Sequence, residues 1–84
     1  MKTVRIPLQG KIAFTQESAS RLSKLLIRYE SSVMIHDQNR TVNAKSLLGV
    51  LSLGYLLSDS LEFHVDGEDE EQVCAALKKH FDAD

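Results

Sequence analysis

The chain has 84 residues, 43% hydrophobic and 26% charged, enough for one small core and too apolar for a disordered or low-complexity segment. Ten Lys and Arg against twelve Asp and Glu leave a formal charge of −2, which excludes the basic footprint of a direct nucleic-acid binder. One cysteine, Cys74, excludes an internal disulfide and a thiolate-rich zinc site, and no apolar run approaches the ~20 residues that span a bilayer.

The segment Val4-Arg5-Ile6-Pro7-Leu8 alternates apolar and polar residues, the period of a strand with one buried face; Pro7 cannot donate to a ladder and places this strand at a sheet edge. From Gln16 to Tyr29 the apolar residues Ala19, Leu22, Leu26 and Tyr29 follow one helical face, with Thr15 as N-cap and Glu17 in the first turn. Val33 and Ile35 then alternate with Met34 and His36. After the turn signal Asp37-Gln38-Asn39, the run Arg40 to Ala44 carries Val42 inward, completing a hairpin. Ser46 opens a short apolar run that stops at Gly54, the residue expected past a helix C-terminus. Leu61, Phe63 and Val65, alternating with Glu62, His64 and Asp66, form the last strand. Past the Asp66-Gly67 turn, Asp69 to Phe81 predicts a helix burying Val73, Leu77 and Phe81, with Asp69, Glu70 and Glu71 at its start and Lys78, Lys79 and His80 at its end. The order βαββαβα predicts an α+β domain over residues 1–84, a four-stranded, mainly antiparallel sheet with three helices on one face. No signal peptide is expected, because Met1-Lys2-Thr3-Val4-Arg5 turns polar too early, and a cytoplasmic protein without a membrane partner follows.

The stretch from Ser46 to Leu53 is the most informative. On a helical wheel Val50 and Leu53 share one side, while Leu47, Leu48 and Leu51 share the other. So small a domain has little material to cover both sides, which predicts a partly exposed Leu47/Leu48/Leu51 patch and hence a partner surface; packing under the first helix or a loop is the alternative. Ser46 precedes that run. Its hydroxyl serves as an N-cap, or as a phosphoacceptor that would set about −1.5 to −2 charge beside the patch.

The run Val42-Asn43-Ala44-Lys45-Ser46-Leu47-Leu48-Gly49-Val50-Leu51-Ser52-Leu53-Gly54 closely resembles the regulatory-serine segment of HPr, the histidine-containing phosphocarrier family of the sugar phosphotransferase system, and especially its catabolite-repression branch. The similarity extends into Val65-Asp66-Gly67-Glu68-Asp69-Glu70 and implies the family's open-faced β-sandwich. The family's second hallmark is a Gly-Ile-His-Ala-Arg-Pro-like turn whose His carries a phosphoryl group and whose Arg helps to hold it. Here the matching positions read Ala13-Phe14-Thr15-Gln16-Glu17-Ser18, leaving a degenerate phosphocarrier site at Thr15 and Glu17. A threonine phosphoester lacks the ready phosphoryl release of an N-phosphate, and Glu17 places a carboxylate where the family pattern has a cation.

The resemblance implies phosphorylation of Ser46 by the bifunctional HPr kinase/phosphorylase and ATP, then corepressor action on a LacI-type catabolite control regulator through Lys45, Leu47, Leu48 and Leu51. It implies no catalytic residue, metal or cofactor on this chain. His36 and His64 are expected on outward strand positions and His80 in the last turn of the final helix, each a surface histidine, and Cys74 as a core thiol beside Val73 and Leu77. Two other readings stay open: a phosphocarrier using another residue, and a constitutive binding module that has lost both phosphorylations. The latter draws on Tyr55, Leu56 and Leu57, whose alternatives are packing on the second helix or a homodimer.

Overall fold

The structure, a computed structural model, describes residues 1–8, 14–54 and 60–82. Seven elements follow in chain order: β1 (Lys2–Pro7), α1 (Gln16–Leu26), β2 (Ser32–Asp37), β3 (Arg40–Asn43), α2 (Leu47–Leu51), β4 (Ser60–Asp66) and α3 (Glu70–Asp82). The four strands form one sheet in the order β1-β4-β2-β3, and every neighbouring pair is antiparallel. Pro7 ends β1, which lies at the sheet edge, where a residue without an N–H is tolerated.

The register places Val4, Phe63, Ile35 and Val42 in one row across all four strands. That row faces the core, with Phe63 and Ile35 fully buried and joined by Val33, Leu61 and Val65. Ala19, Leu22 and Leu26 of α1, Val50 of α2, and Val73 and Leu77 of α3 close over the same core. Phe81 packs at its margin, half-buried, with its ring 5.8 Å from that of Phe63. The opposite sheet face carries the alternating residues Arg5, Glu62, His36 and Thr41, again in one row.

Two of the boundaries that differ from the sequence expectation share one reason. The first helix stops at Leu26 instead of reaching Tyr29: Ile27 is its C-cap, and the backbone N–H groups of Glu30 and Ser31 donate to the Asp69 carboxylate, each at 2.9 Å. Asp69 correspondingly precedes α3 and spends its carboxylate on the α1–β2 connection, including a bond from the Ser31 hydroxyl, instead of on its own helix. Gly67 completes this staple. With φ 156 it lies so close to Ser31 that an added Cβ would sit 2.6 Å from the Ser31 Cα.

The hairpin turn also carries more than a turn signal. Asp37 is fully buried and paired with Arg40, whose guanidinium also donates to the Leu53 carbonyl and so ties the hairpin to the segment after α2. Gln38 takes the left-handed conformation there, φ 60, and Gly54 does the same past α2, as expected of a helix terminator. No helix among the described residues is long and apolar enough to cross a membrane.

Candidate functional site

The two expected hydroxyl sites both become helix N-caps, with different surroundings. At α1 the Thr15 hydroxyl accepts from Ser18 N at 3.0 Å while the Ser18 hydroxyl accepts from Thr15 N at 2.9 Å, a reciprocal capping box. The two hydroxyls also touch each other, at 3.2 Å. Glu17 stands next in the same exposed turn and pairs with Arg21 one turn on. The turn therefore offers no imidazole, and its carboxylate is matched by a cation of its own helix. Ala13, the first residue of the hallmark segment, lies outside the described residues.

At α2 the Ser46 side chain accepts from Gly49 N at 3.1 Å. The third helical position here is a glycine, so nothing reciprocates as Ser18 does for Thr15. A side chain at position 49 would also crowd the hydroxyl, because an added Cβ would lie 3.2 Å from the Ser46 Cβ and 3.1 Å from the Asn43 carbonyl oxygen. With five residues, α2 is little more than one turn, so its macrodipole contributes little and the local N–H matters more.

The segment that presents Ser46 is tied down on both sides. Ser46 N donates to the Asn43 carbonyl at 3.1 Å, and Lys45 N donates to the Asn43 side-chain oxygen at 2.9 Å. From α1, the Ser23 hydroxyl donates to the Lys45 carbonyl at 2.6 Å; in return, Lys45 Nζ donates to the Tyr29 carbonyl at 2.6 Å. Sequence reasoning missed Ser23 and Tyr29 because both act across more than a dozen residues. Asn43 was open to discovery, since an Asx side chain before a helix start often binds a following backbone N–H.

The leucines divide. Leu48 is 80% exposed, whereas Leu47 and Leu51 are half-buried and pack on the core. The expected three-residue patch thus becomes one projecting side chain flanked by two anchored ones, because the single turn of α2 tilts only one face fully outward. Val50 and Leu53 are buried, as their side of the wheel requires. Tyr55, Leu56 and Leu57 lie outside the described residues.

The histidines stand where expected, but two of them are not isolated. The rings of His36 and His64 stack on the open sheet face with centroids 3.9 Å apart, and His64 Nε2 lies 2.6 Å from a Glu62 oxygen. Glu62 also accepts from Arg5 at 2.7 Å, and that bond, followed by the one with His64, holds its carboxyl below the ordinary value. Diagonal contact across adjacent strands brings the pair together, which strand alternation alone does not reveal. Cys74 is half-buried beside the core, and desolvation pushes its thiol up, away from thiolate chemistry. Among the described residues no group of three or more His, Cys, Asp and Glu is placed to hold a metal ion.

Residues 5–83 match the family model described as the PTS HPr component phosphorylation site. The phosphocarrier protein HPr of Lysinibacillus sphaericus is 29% identical over 77 residues, covering 92% of this chain and 88% of that protein. The HPr of Xylella fastidiosa strain Temecula1 is 26% identical over 77 residues, covering 92% and 86%. Among solved structures, HPr of Thermoanaerobacter tengcongensis superimposes with a TM-score of 0.86 at 28% identity, covering 99% of this chain and 93% of the other. Crh, the catabolite repression containing protein of Bacillus subtilis, superimposes with a TM-score of 0.67 at 26% identity, covering 94% and 87%, and is described as a domain-swapped dimer.

Proposed function

The chain belongs to the HPr family of the sugar phosphotransferase system, and from that premise we propose that it is a non-catalytic regulatory phosphoacceptor. Ser46 is the acceptor, HPr kinase/phosphorylase with ATP the modifying enzyme, and carbon catabolite repression through a LacI-type regulator the output. The observation that carries this reading is the contrast between the two caps. The α1 turn has Thr15 and Glu17 in place of the carrier pair, with Thr15 closed into a reciprocal box. Ser46 sits at the start of α2 against an unsubstituted glycine. The likeness to Crh supports the regulatory branch.

On this reading phosphorylated Ser46 and the projecting Leu48, with Lys45, Leu47 and Leu51 around it, make the surface that the regulator meets. The phosphate supplies an Arg-pairable charge, and Leu48 supplies apolar area beside it. A related HPr has been solved as a dimer, so self-association is the competing use of the apolar surface; size-exclusion chromatography across a concentration range gives a monomer under the present reading.

The test is intact-mass analysis after incubation with HPr kinase/phosphorylase and ATP, followed by peptide mapping. One phosphate on Ser46 is expected. No phosphate under conditions that modify an ordinary HPr would overturn the proposal in favour of a constitutive binding module.

A further inference from the structure

We propose that Lys45 is the positioning residue of the Ser46 acceptor, an inference that rests on the reading of Ser46 as the phosphorylated residue. Residue 45 is held through all three of its polar groups. Its N–H donates to the Asn43 side chain at 2.9 Å, its carbonyl accepts from Ser23 Oγ at 2.6 Å, and its ammonium donates to the Tyr29 carbonyl at 2.6 Å. Two of these partners belong to α1 or the turn that follows it, and the third ends β3. The residue immediately before the acceptor is therefore fixed against two elements that are themselves anchored in the core.

The position of the ammonium is physically favourable. Tyr29 lies just past the C-terminus of α1, where carbonyls left without helical partners carry partial negative charge and favour a cation. Lys45 is half-buried, and its ammonium is engaged within the molecule by the Tyr29 carbonyl. Its clamp leaves Ser46 in the extended N-cap conformation, φ −96 and ψ 120, with Oγ directed at Gly49 N. A kinase that takes this acceptor meets an oxygen whose direction is already set. In the transfer, Ser46 Oγ forms a bond to the γ-phosphorus of ATP, the β–γ bridging P–O bond breaks, ADP leaves, and the hydroxyl proton passes to a base on the kinase. Holding the nucleophile in place before that step removes an ordering cost from the barrier.

A direct charge contact between Lys45 and the kinase makes a different prediction, and Ser23 separates the two. Lys45→Met removes the ammonium and keeps most of the stem; Ser23→Ala removes the second tie to residue 45 and leaves the ammonium untouched. Under the positioning role both variants lower kcat/KM for phosphorylation, Lys45→Met on the order of ten- to a hundredfold and Ser23→Ala less. Lys45→Arg partly restores the rate. Both variants also raise hydrogen exchange at the Gly49 amide, which reports the Ser46 Oγ bond without any kinase present. Far-UV circular dichroism confirms that each variant folds.

Wild-type rates in folded Lys45→Met would overturn the inference, as would a Lys45→Met defect with Ser23→Ala and Gly49 exchange both unchanged. A wild-type chain that takes no phosphate on Ser46 overturns the underlying reading and the positioning role with it. Phosphorylation of the wild type together with either of the first two results overturns this inference alone.

Discussion

Thr15 and Ser46 perform the same local task, capping a helix with a hydroxyl, yet their surroundings differ. Thr15 is locked in a reciprocal exchange with Ser18 on an exposed turn, beside a Glu17 whose charge Arg21 matches. Ser46 accepts from Gly49 N, and the residue before it is held by two other elements. The difference teaches that a capping hydroxyl takes its chemistry from its neighbours. At α1 the third helical position returns a side chain to the cap; at α2 it is a glycine, which has no side chain to return.

Five perturbations break or sharpen that contrast. The largest effect belongs to Ser46→Ala, which abolishes phosphorylation by HPr kinase/phosphorylase while the fold survives the loss of one cap; phosphate appearing elsewhere in that variant would contradict the assignment. Next comes Leu53→Ala, which removes a buried side chain behind α2 and costs about 2–5 kcal/mol in denaturant unfolding. Leu48→Ala, by contrast, changes stability by no more than about 0.5 kcal/mol, since Leu48 projects into solvent, and instead weakens regulator binding. Thr15→Ala falls between these two in stability, costing about 1 kcal/mol through its lost cap, and leaves Ser46 phosphorylation at the wild-type rate.

The smallest effect changes the pH dependence of stability. Bonds from the Ser31 side chain and then from the Glu30 backbone hold the Asp69 carboxyl below its ordinary value. A carboxyl depressed in the folded state contributes stability above its unfolded value and loses it as pH falls through the lower folded one. Asp69→Asn should therefore flatten the acid limb of the stability curve and lower stability slightly at neutral pH. Thermal melts at intervals from neutral to acid pH show whether that limb changes.

Most of the architecture is legible in the sequence because it rests on local periodicity. The alternation at Leu61, Phe63 and Val65 and the helical spacing of Val73 and Leu77 each encode which face is buried, and the structure buries those faces. Thr15 and Ser46 as N-caps and Gly54 past α2 are likewise local signals. What escaped depends on partners distant in sequence. Asp69 looks like a helix-start acid until Glu30 and Ser31 are brought beside it by the antiparallel pairing of β2 with β4. Asp37 looks like an exposed turn residue until Arg40 and the chain after α2 close over it. Lys45 reads as a surface cation because nothing in its own neighbourhood announces the carbonyl of Tyr29. The missing imidazole at the α1 turn was plain from composition at that site, whereas the reciprocal box that occupies the turn needed Ser18 in space as well as in sequence.

The most direct measurement presents the same chain to both phosphoryl donors of its family in parallel, HPr kinase/phosphorylase with ATP and enzyme I with phosphoenolpyruvate, and reads the products by intact mass before and after acid treatment. The account predicts one acid-stable phosphate on Ser46 from the first and none from the second. An acid-labile phosphate from enzyme I, or an unmodified chain in both reactions, would contradict it.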